Sequence, residues 1–412
     1  EIQAMPRQAE LSNTLPDLQP VSGLQLGTAA AGIKTPGRPD LVVMALAPGS
    51  TTVAVFTQNA FCAAPVIVAR EHLQQQQPAY FLVNTGNANA GTGKAGLADA
   101  RQCCEALANN AACETSAVLP FSTGVIGESL PVDRIVQGIP AAMERLDEDG
   151  WKQAATAILT TDTVPKGAST TTEIAGRTVT ITGIAKGAGM IRPDMATMLA
   201  YVATNATVEQ SVLQECLVTA VEKSFNRISV DGDTSTNDAC VLVATGKSDA
   251  PAITAGSAEF DQFCSAVTEV CVQLAQAIVR DGEGATRFVT VAVEDGATPQ
   301  ECLDVGYTIA HSPLVKTALF AGDPNWGRIL AAVGRAGLSD LDLDSIRIYL
   351  DDVCIVSDGG RDPGYTEAAG QQVMDKPELT IRVQLNRGDF SEYLWTCDLS
   401  YDYVKINAEY RT

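Results

Sequence analysis

Histidine is nearly absent: 412 residues contain only two, His72 and His311. A zinc centre built on several imidazoles is therefore unavailable, and no His-Glu-x-x-His occurs. Gly-x-Ser-x-Gly is missing too, so a serine–histidine–carboxylate triad lacks its elbow. Both histidines read as packed or surface imidazoles. Basic residues are scarce, 28 Lys and Arg against 49 Asp and Glu, for a formal net charge of −21. Such a chain repels phosphate backbones unless it carries a local basic patch, and none is evident, so no nucleic-acid partner is expected. No run reaches the ~18 uncharged apolar residues of a membrane span, and the polar start EIQAMPRQAELSNTLPD lacks the apolar core of a secretory signal. Eleven cysteines form no Cys-x-x-Cys and are odd in number. Most sit among apolar residues, which points to buried, reduced thiols and a cytoplasmic protein.

What is present is a mixture of short β-branched runs and helical periodicity. Leu41–Ala47, Thr52–Thr57, Tyr80–Asn84, Val118–Ser122, Arg177–Ala185, Thr197–Ala203, Ala239–Ala244, Arg287–Val293, Ile346–Leu350 and Leu379–Leu385 read as strands. Ser257–Arg280 places Phe260, Phe263, Cys264, Val267, Val270, Cys271, Leu274 and Ile278 at helical spacing. Leu97–Asn110, Val132–Leu146, Trp151–Leu159, Gln210–Phe225 and Pro313–Phe320 read as further helices. The pattern favours a layered α+β protein over a regular βαβ series. Gly91-Thr92-Gly93-Lys94-Ala95-Gly96 fits Gly-x-Gly-x-x-Gly, between a strand and a helix. It lies far from the start of the chain, follows a loop crowded with Asn84, Asn87 and Asn89, and leads to no obvious βαβ continuation. A dinucleotide site is therefore not expected there.

The richest stretch is Lys186-Gly187-Ala188-Gly189-Met190-Ile191-Arg192-Pro193-Asp194-Met195-Ala196-Thr197-Met198-Leu199-Ala200. One reading is a loop that ends at a β-favouring threonine. The other is an N-terminal nucleophile. A threonine hydroxyl is weak at neutral pH without a base beside it. Cutting the Ala196–Thr197 bond would free an α-amine on Thr197, with an ordinary pKa of ~7.7–8.0, as general base for its own hydroxyl. That solution suits a chain with almost no histidine.

Lys-Gly-x-Gly-Met-Ile followed by Met-Ala-Thr-Met-Leu resembles the ornithine acetyltransferase family, the ArgJ proteins of arginine biosynthesis. Val83–Ala90 (VNTGNANA), Ser122–Gly127 (STGVIG), Thr160–Thr163 (TTDT), Asp231–Asp238 (DGDTSTND), Asp281–Thr286 (DGEGAT), Gly322–Arg328 (GDPNWGR) and Asn407–Tyr410 (NAEY) resemble further family segments. They run in the family's order from about residue 20 to the end.

The resemblance implies a four-layer αββα sandwich of Ntn-hydrolase-like type with a smaller C-terminal lobe. It implies self-cleavage at Ala196–Thr197 into an α chain, 1–196, and a β chain, 197–412, sharing one core. Acetyl transfer from N2-acetyl-L-ornithine to L-glutamate would then proceed by ping-pong on Thr197. Thr123 and Gly124 match the oxyanion hole. Thr160, Lys186, Thr197, Glu283, Asn407 and Thr412 match substrate-binding positions. No metal or cofactor is implied, although acetyl-CoA as a second donor stays open. The expected assembly is a dimer of αβ heterodimers without nucleic-acid or membrane partners. The nearest rival is an amidohydrolase or aminopeptidase-like relative using the same threonine.

Overall fold

The computed structural model describes residues 15–192 and 198–410. The chain divides into two compact units. The larger comprises Thr14–Asn226 and Asp233–Ile278. The smaller comprises Arg227–Gly232 and the described chain from Val279 onward.

The larger unit holds strands β1 (Leu24–Ala29), β2 (Leu41–Leu46), β3 (Thr51–Phe56), β4 (Tyr80–Asn87) and β5 (Val118–Val125). It continues through β6 (Lys166–Ile174), β7 (Arg177–Lys186), β8 (Leu199–Thr204) and β10 (Ala239–Ala244). Its helices are α1 (Ala64–Gln75), α2 (Gly93–Ala111), α3 (Val132–Met143), α4 (Trp151–Ala157), α5 (Gln210–Glu222) and most of α6 (Ala258–Arg280). One sheet has the order β1-β2-β4-β5, the other β3-β10-β8-β7-β6.

Strands buried on both faces explain the continuous apolar runs. Val42, Met44, Phe81, Val83, Leu119 and Phe121 of the first sheet share a core with Ile184, Leu199, Tyr201, Val241 and Val243 of the second. On the outer face of the first sheet, Leu41, Val43, Leu82 and Val118 meet Val68 of α1, Cys104 and Leu107 of α2, and Ile135 and Ile139 of α3. Helix α5 lies on β3 and β10. Helix α6 comes so close to β7 that a Cβ at Gly183 would lie 3.0 Å from the Leu274 side chain. The layers are thus helix, sheet, sheet, helix, the expected αββα arrangement. Helix α6 is long and apolar enough to pass as a membrane span, but Phe263, Val267, Val270, Leu274 and Ile278 are fully buried in the protein.

The smaller unit is a seven-stranded sheet, β14 (Gly360–Arg361), β13 (Val353–Ser357), β12 (Arg347–Leu350), β15 (Glu378–Gln384), β11 (Phe288–Gly296), β16 (Phe390–Cys397) and β9 (Ile228–Ser229), in that spatial order. Helices α7 (Pro299–Ala310), α8 (Pro313–Ala321), α9 (Trp326–Gly334) and α10 (Glu367–Met374) belong to it, and α11 (Tyr401–Glu409) ends it. Val289, Val291 and Val293 alternate on β11 and pack with Val305, Ile309, Leu319, Ile329 and Met374 of the helices. The opposite face of β11 is more open, as period-two patterning requires.

One expectation is corrected. Gly91–Gly96 does precede a parallel crossover, because β4 and β5, joined through α2, pair in parallel. The glycine turn is nevertheless filled from within: Asn89 Nδ2 donates to Gly96 O at 2.9 Å and Thr92 Oγ1 to Asn89 Oδ1 at 2.8 Å. In Gly322–Arg328 the Asn325 side chain accepts from Arg328 N–H at 3.1 Å and caps α9. The thiol expectation holds, since all eleven cysteines are free. So does that for the histidines: His72 Nδ1 lies 2.7 Å from Val118 O, and His311 stacks on Tyr307.

Candidate active site in the larger unit

Strand β5 ends in Thr123-Gly124-Val125. At this point its pairing with β4 is irregular, with Thr123 opposite both Thr85 and Asn87. Such a bulge re-aims the chain at a strand end. Gly124 has φ +134°, a conformation open to glycine and strained for other residues. A Cβ there would lie 2.3 Å from the carbonyl carbon of Gly86 and 2.5 Å from the Asn87 nitrogen. The turn is thus backbone pressed on backbone.

The asparagines that crowd the preceding loop are braces for this turn. Ser122 Oγ donates to Asn84 Oδ1, and Asn84 Nδ2 donates to Asn87 O at 2.9 Å. Asn87 Nδ2 donates to Ser129 O at 3.0 Å, and Asn87 Oδ1 accepts from Asn89 N–H at 2.8 Å. All three asparagines are buried.

A second cluster forms at the end of β7. Lys186 stands opposite Leu199 of β8, and its Nζ donates to Thr160 Oγ1 at 3.3 Å. Asp162 accepts from Thr160 N–H at 3.0 Å, from Gly187 N–H at 2.7 Å and from Lys166 Nζ at 2.6 Å. Burial pushes the Asp162 carboxyl up. The Lys166 and Lys186 charges and the Lys166 and Gly187 hydrogen bonds outweigh it and bring it down to about 2.

One side chain ties the first cluster to the second sheet. Asn237, just before β10, donates from Nδ2 to Ser122 O at 2.9 Å and to Ala88 O at 2.6 Å. Its neighbour Ala239 pairs with Leu199 and donates to Met198 O at 3.0 Å. Thr123-Gly124 in one sheet and Lys186 with Thr160 at the other therefore converge on the end of the sandwich where β8 begins. Ala196 and Thr197, the expected cleavage and nucleophile positions, lie outside the described residues. Thr412 does as well.

Sequence reasoning assigned no role to Asp162, Lys166, Asn237 or Asp238. Asp162 and Asp238 lie in motifs already singled out, and a lysine four residues after the aspartate of Thr-Thr-Asp-Thr was the available signal for their pairing. Asp238 is 3% exposed, and its Oδ2 has no hydrogen-bond partner among the described residues. Burial pushes its carboxyl well above the ordinary carboxylate range, against smaller opposing effects of Ser235 and Lys186. Below that ordinary range both folded and unfolded chains hold the proton. As pH rises through it, only the unfolded chain ionises, so stability falls until the folded-state pKa is reached. Asp238→Asn should remove this pH-dependent cost. Its melting temperature should gain on that of the parent by about 2 °C or more between pH 5 and pH 8, since each pH unit within the window corresponds to about 1.4 kcal/mol. Parallel melting profiles would show that Asp238 is ionised in the fold.

In the smaller unit, Glu283 and Asn407 meet. Asn407 Nδ2, on α11, donates to Glu283 Oε2 at 2.7 Å, and Glu283 is 9% exposed. Gly284 packs against Ser400 and Tyr403 at the start of the same helix. Tyr403 OH donates to Asp231 Oδ2 at 3.1 Å. Of the six expected substrate-binding residues, the structure thus pairs Thr160 with Lys186 and Glu283 with Asn407.

The sequence profile of the ArgJ family matches residues 25–412. The arginine biosynthesis bifunctional protein ArgJ of Pseudomonas syringae pv. tomato is 61% identical over 399 residues, covering 97% of this chain and 98% of that protein. Its counterpart in Methylococcus capsulatus is 62% identical over 395 residues, covering 96% and 97%. A crystal structure of arginine biosynthesis bifunctional protein ArgJ from Bacillus halodurans is 38% identical and covers 52% of this chain and 99% of that one, with a TM-score of 0.49. With nearly its whole length matched by the profile and by such relatives, this chain belongs to the ArgJ family.

Proposed function

We propose that this protein moves the acetyl group of N2-acetyl-L-ornithine to L-glutamate, through an acyl-enzyme on Thr197 made N-terminal by self-cleavage of the Ala196–Thr197 bond. The chain is an acetyltransferase of arginine biosynthesis, as its family membership implies. The observation that supports the residue-level reading is that Asn237 ties Ser122, next to Thr123-Gly124, to the start of β10, whose Ala239 pairs with Leu199 opposite Lys186.

The chemistry follows from these groups. In maturation, Thr197 Oγ attacks the Ala196 carbonyl and the Thr197 nitrogen leaves as an amine. Water then cleaves the ester, leaving a carboxylate on Ala196 and a free α-amine on Thr197. In turnover that amine accepts the hydroxyl proton as Oγ attacks the acetyl carbonyl. The Thr123 hydroxyl and Gly124 N–H stabilise the oxyanion of the tetrahedral intermediate. The proton passes to the departing ornithine amine. The glutamate amine then attacks the acetyl ester, loses its proton to the Thr197 amine, and restores the hydroxyl. Lys186 meets a substrate α-carboxylate, with Thr160 beside it. By the family resemblance Glu283, Asn407 and Thr412 are proposed as further substrate-binding positions, Glu283 as a carboxylate for the ornithine ammonium.

The cut would fall between β7 and β8, which are paired neighbours in one sheet. It would leave β3, β6 and β7 on the α chain and β8 and β10 on the β chain, so shared strand pairing holds the fragments together. The relatives named bifunctional support acetyl-CoA as a second donor, and the assembly we propose is a dimer of αβ heterodimers. Eleven free thiols suit a reducing cytoplasm.

Ornithine release from N2-acetyl-L-ornithine should require L-glutamate and match N-acetylglutamate formed, mole for mole, by chromatography. Release of free acetate at the same rate without glutamate would replace this reading by an amidohydrolase. Release of the coenzyme A thiol from acetyl-CoA, dependent on glutamate, tests the second donor.

A further inference from the structure

The side chains of Asp162 and Lys166 are wholly withdrawn from solvent and lie 2.6 Å apart. A buried ion pair is a poor device for stability, because an apolar pair of similar volume does as well or better. The contacts of Asp162 point to another use. One of its oxygens holds Thr160 N–H, and the other holds Gly187 N–H as well as Lys166. Asp162 is thus a bracket between the two segments that carry Thr160 and Lys186. A carboxylate performs this task well, since both oxygens accept strongly. It also places a negative charge close enough to Lys186 for the two to act on each other. Alone, that charge would attract the Lys186 ammonium and repel an incoming carboxylate.

We infer that Lys166 is a positioning residue whose buried ammonium cancels the charge of the Asp162 bracket, leaving Lys186 to meet an anionic group of the substrate. The inference rests on the reading of Lys186 as a carboxylate ligand. A carboxylate-bearing amino acid needs a cation that Asp162 does not cancel, in a protein of net charge −21.

The test uses the full-length, self-processed protein and steady-state transfer from N2-acetyl-L-ornithine to L-glutamate. Lys166→Met removes the countercharge and should raise KM for both substrates about tenfold or more, with kcat falling less, because binding rather than the oxyanion is affected. Asp162→Asn combined with Lys166→Met removes both charges and keeps an oxygen to accept from Gly187. It should bring KM back to within about threefold of the parent. A purely structural role predicts a loss of melting temperature in Lys166→Met that the double variant recovers, with KM parental in both. A parental KM in a folded Lys166→Met protein, or an uncorrected KM in the double variant, overturns the inference. Should Lys166→Met fail to fold, the double variant decides alone: KM within about threefold of the parent supports the inference and a tenfold rise overturns it. If the parent itself shows no glutamate-dependent transfer, it is the functional reading that fails, which this design separates.

Discussion

Thr197→Ala should run as a single 43.2 kDa chain on a denaturing gel, where the parent gives two fragments of nearly equal size. N-terminal sequencing of one parental fragment should begin Thr-Met-Leu-Ala. The variant should also lose transfer activity by about 10⁴-fold or more, since nucleophile and base disappear together. On the proposed mechanism the effect is so large because the hydroxyl would act in both reactions and the amine would exist only after the first. Thr197→Ser keeps a hydroxyl and should process and transfer slowly. An uncut parent with full activity would refute the N-terminal amine as base. So would an active Thr197→Ala.

The scarcity of histidine is the sequence feature that fits the proposed arrangement. The two imidazoles serve packing, and the candidate site uses amide, hydroxyl, ammonium and carboxylate groups instead. Strands with dense β-branched runs, such as β2, β8 and β10, were legible because both faces are buried. Strand β6, KGASTTTEI, was not, because a threonine- and serine-rich strand at the sheet edge buries only alternate positions. Helix α1 was missed because Val66, Ile67 and Val68 disguise a helix as a strand. Strand β9 contributes only two residues to its sheet, too short for any periodicity. The motif residues Thr123, Gly124, Thr160 and Lys186 could be found by resemblance. Their braces could not, because Asn237 meets Ser122 across 115 positions of sequence and Asp162 meets Gly187 across 25. The first contact exists only once the two sheets are stacked, the second only once β6 pairs with β7. The chain also divides differently from the expected 1–196 and 197–412 fragments: its compact units separate around Val279, whereas the proposed cut lies within the larger one.

The proposed oxyanion turn supplies the other large expected effect, and steric and chemical variants separate its chemical from its structural part. Thr123→Ala deletes a hydroxyl without adding an atom, and should lower kcat about 10²–10³-fold with KM little changed, as loss of one preorganised oxyanion donor does. Thr123→Ser returns the hydroxyl and should recover most of that loss. Gly124→Ala acts differently. Its new methyl carbon would stand 2.3 Å from the Gly86 carbonyl carbon, and no rotamer change can move a main-chain atom aside. The φ of +134° adds backbone strain for alanine. The ends of β4 and β5 must separate, turning the Gly124 N–H away from its place and loosening the Asn84, Asn87 and Ser122 bracing. Gly124→Ala should therefore lose at least about 10²-fold in kcat and also unfold earlier, by about 1–3 kcal/mol. Thr123→Ala should melt close to the parent. Equal melting losses in both variants would mean that the turn is needed only for folding. A Thr123→Ala enzyme with parental kcat would remove its hydroxyl from the oxyanion hole and leave the Gly124 N–H as the donor this turn supplies.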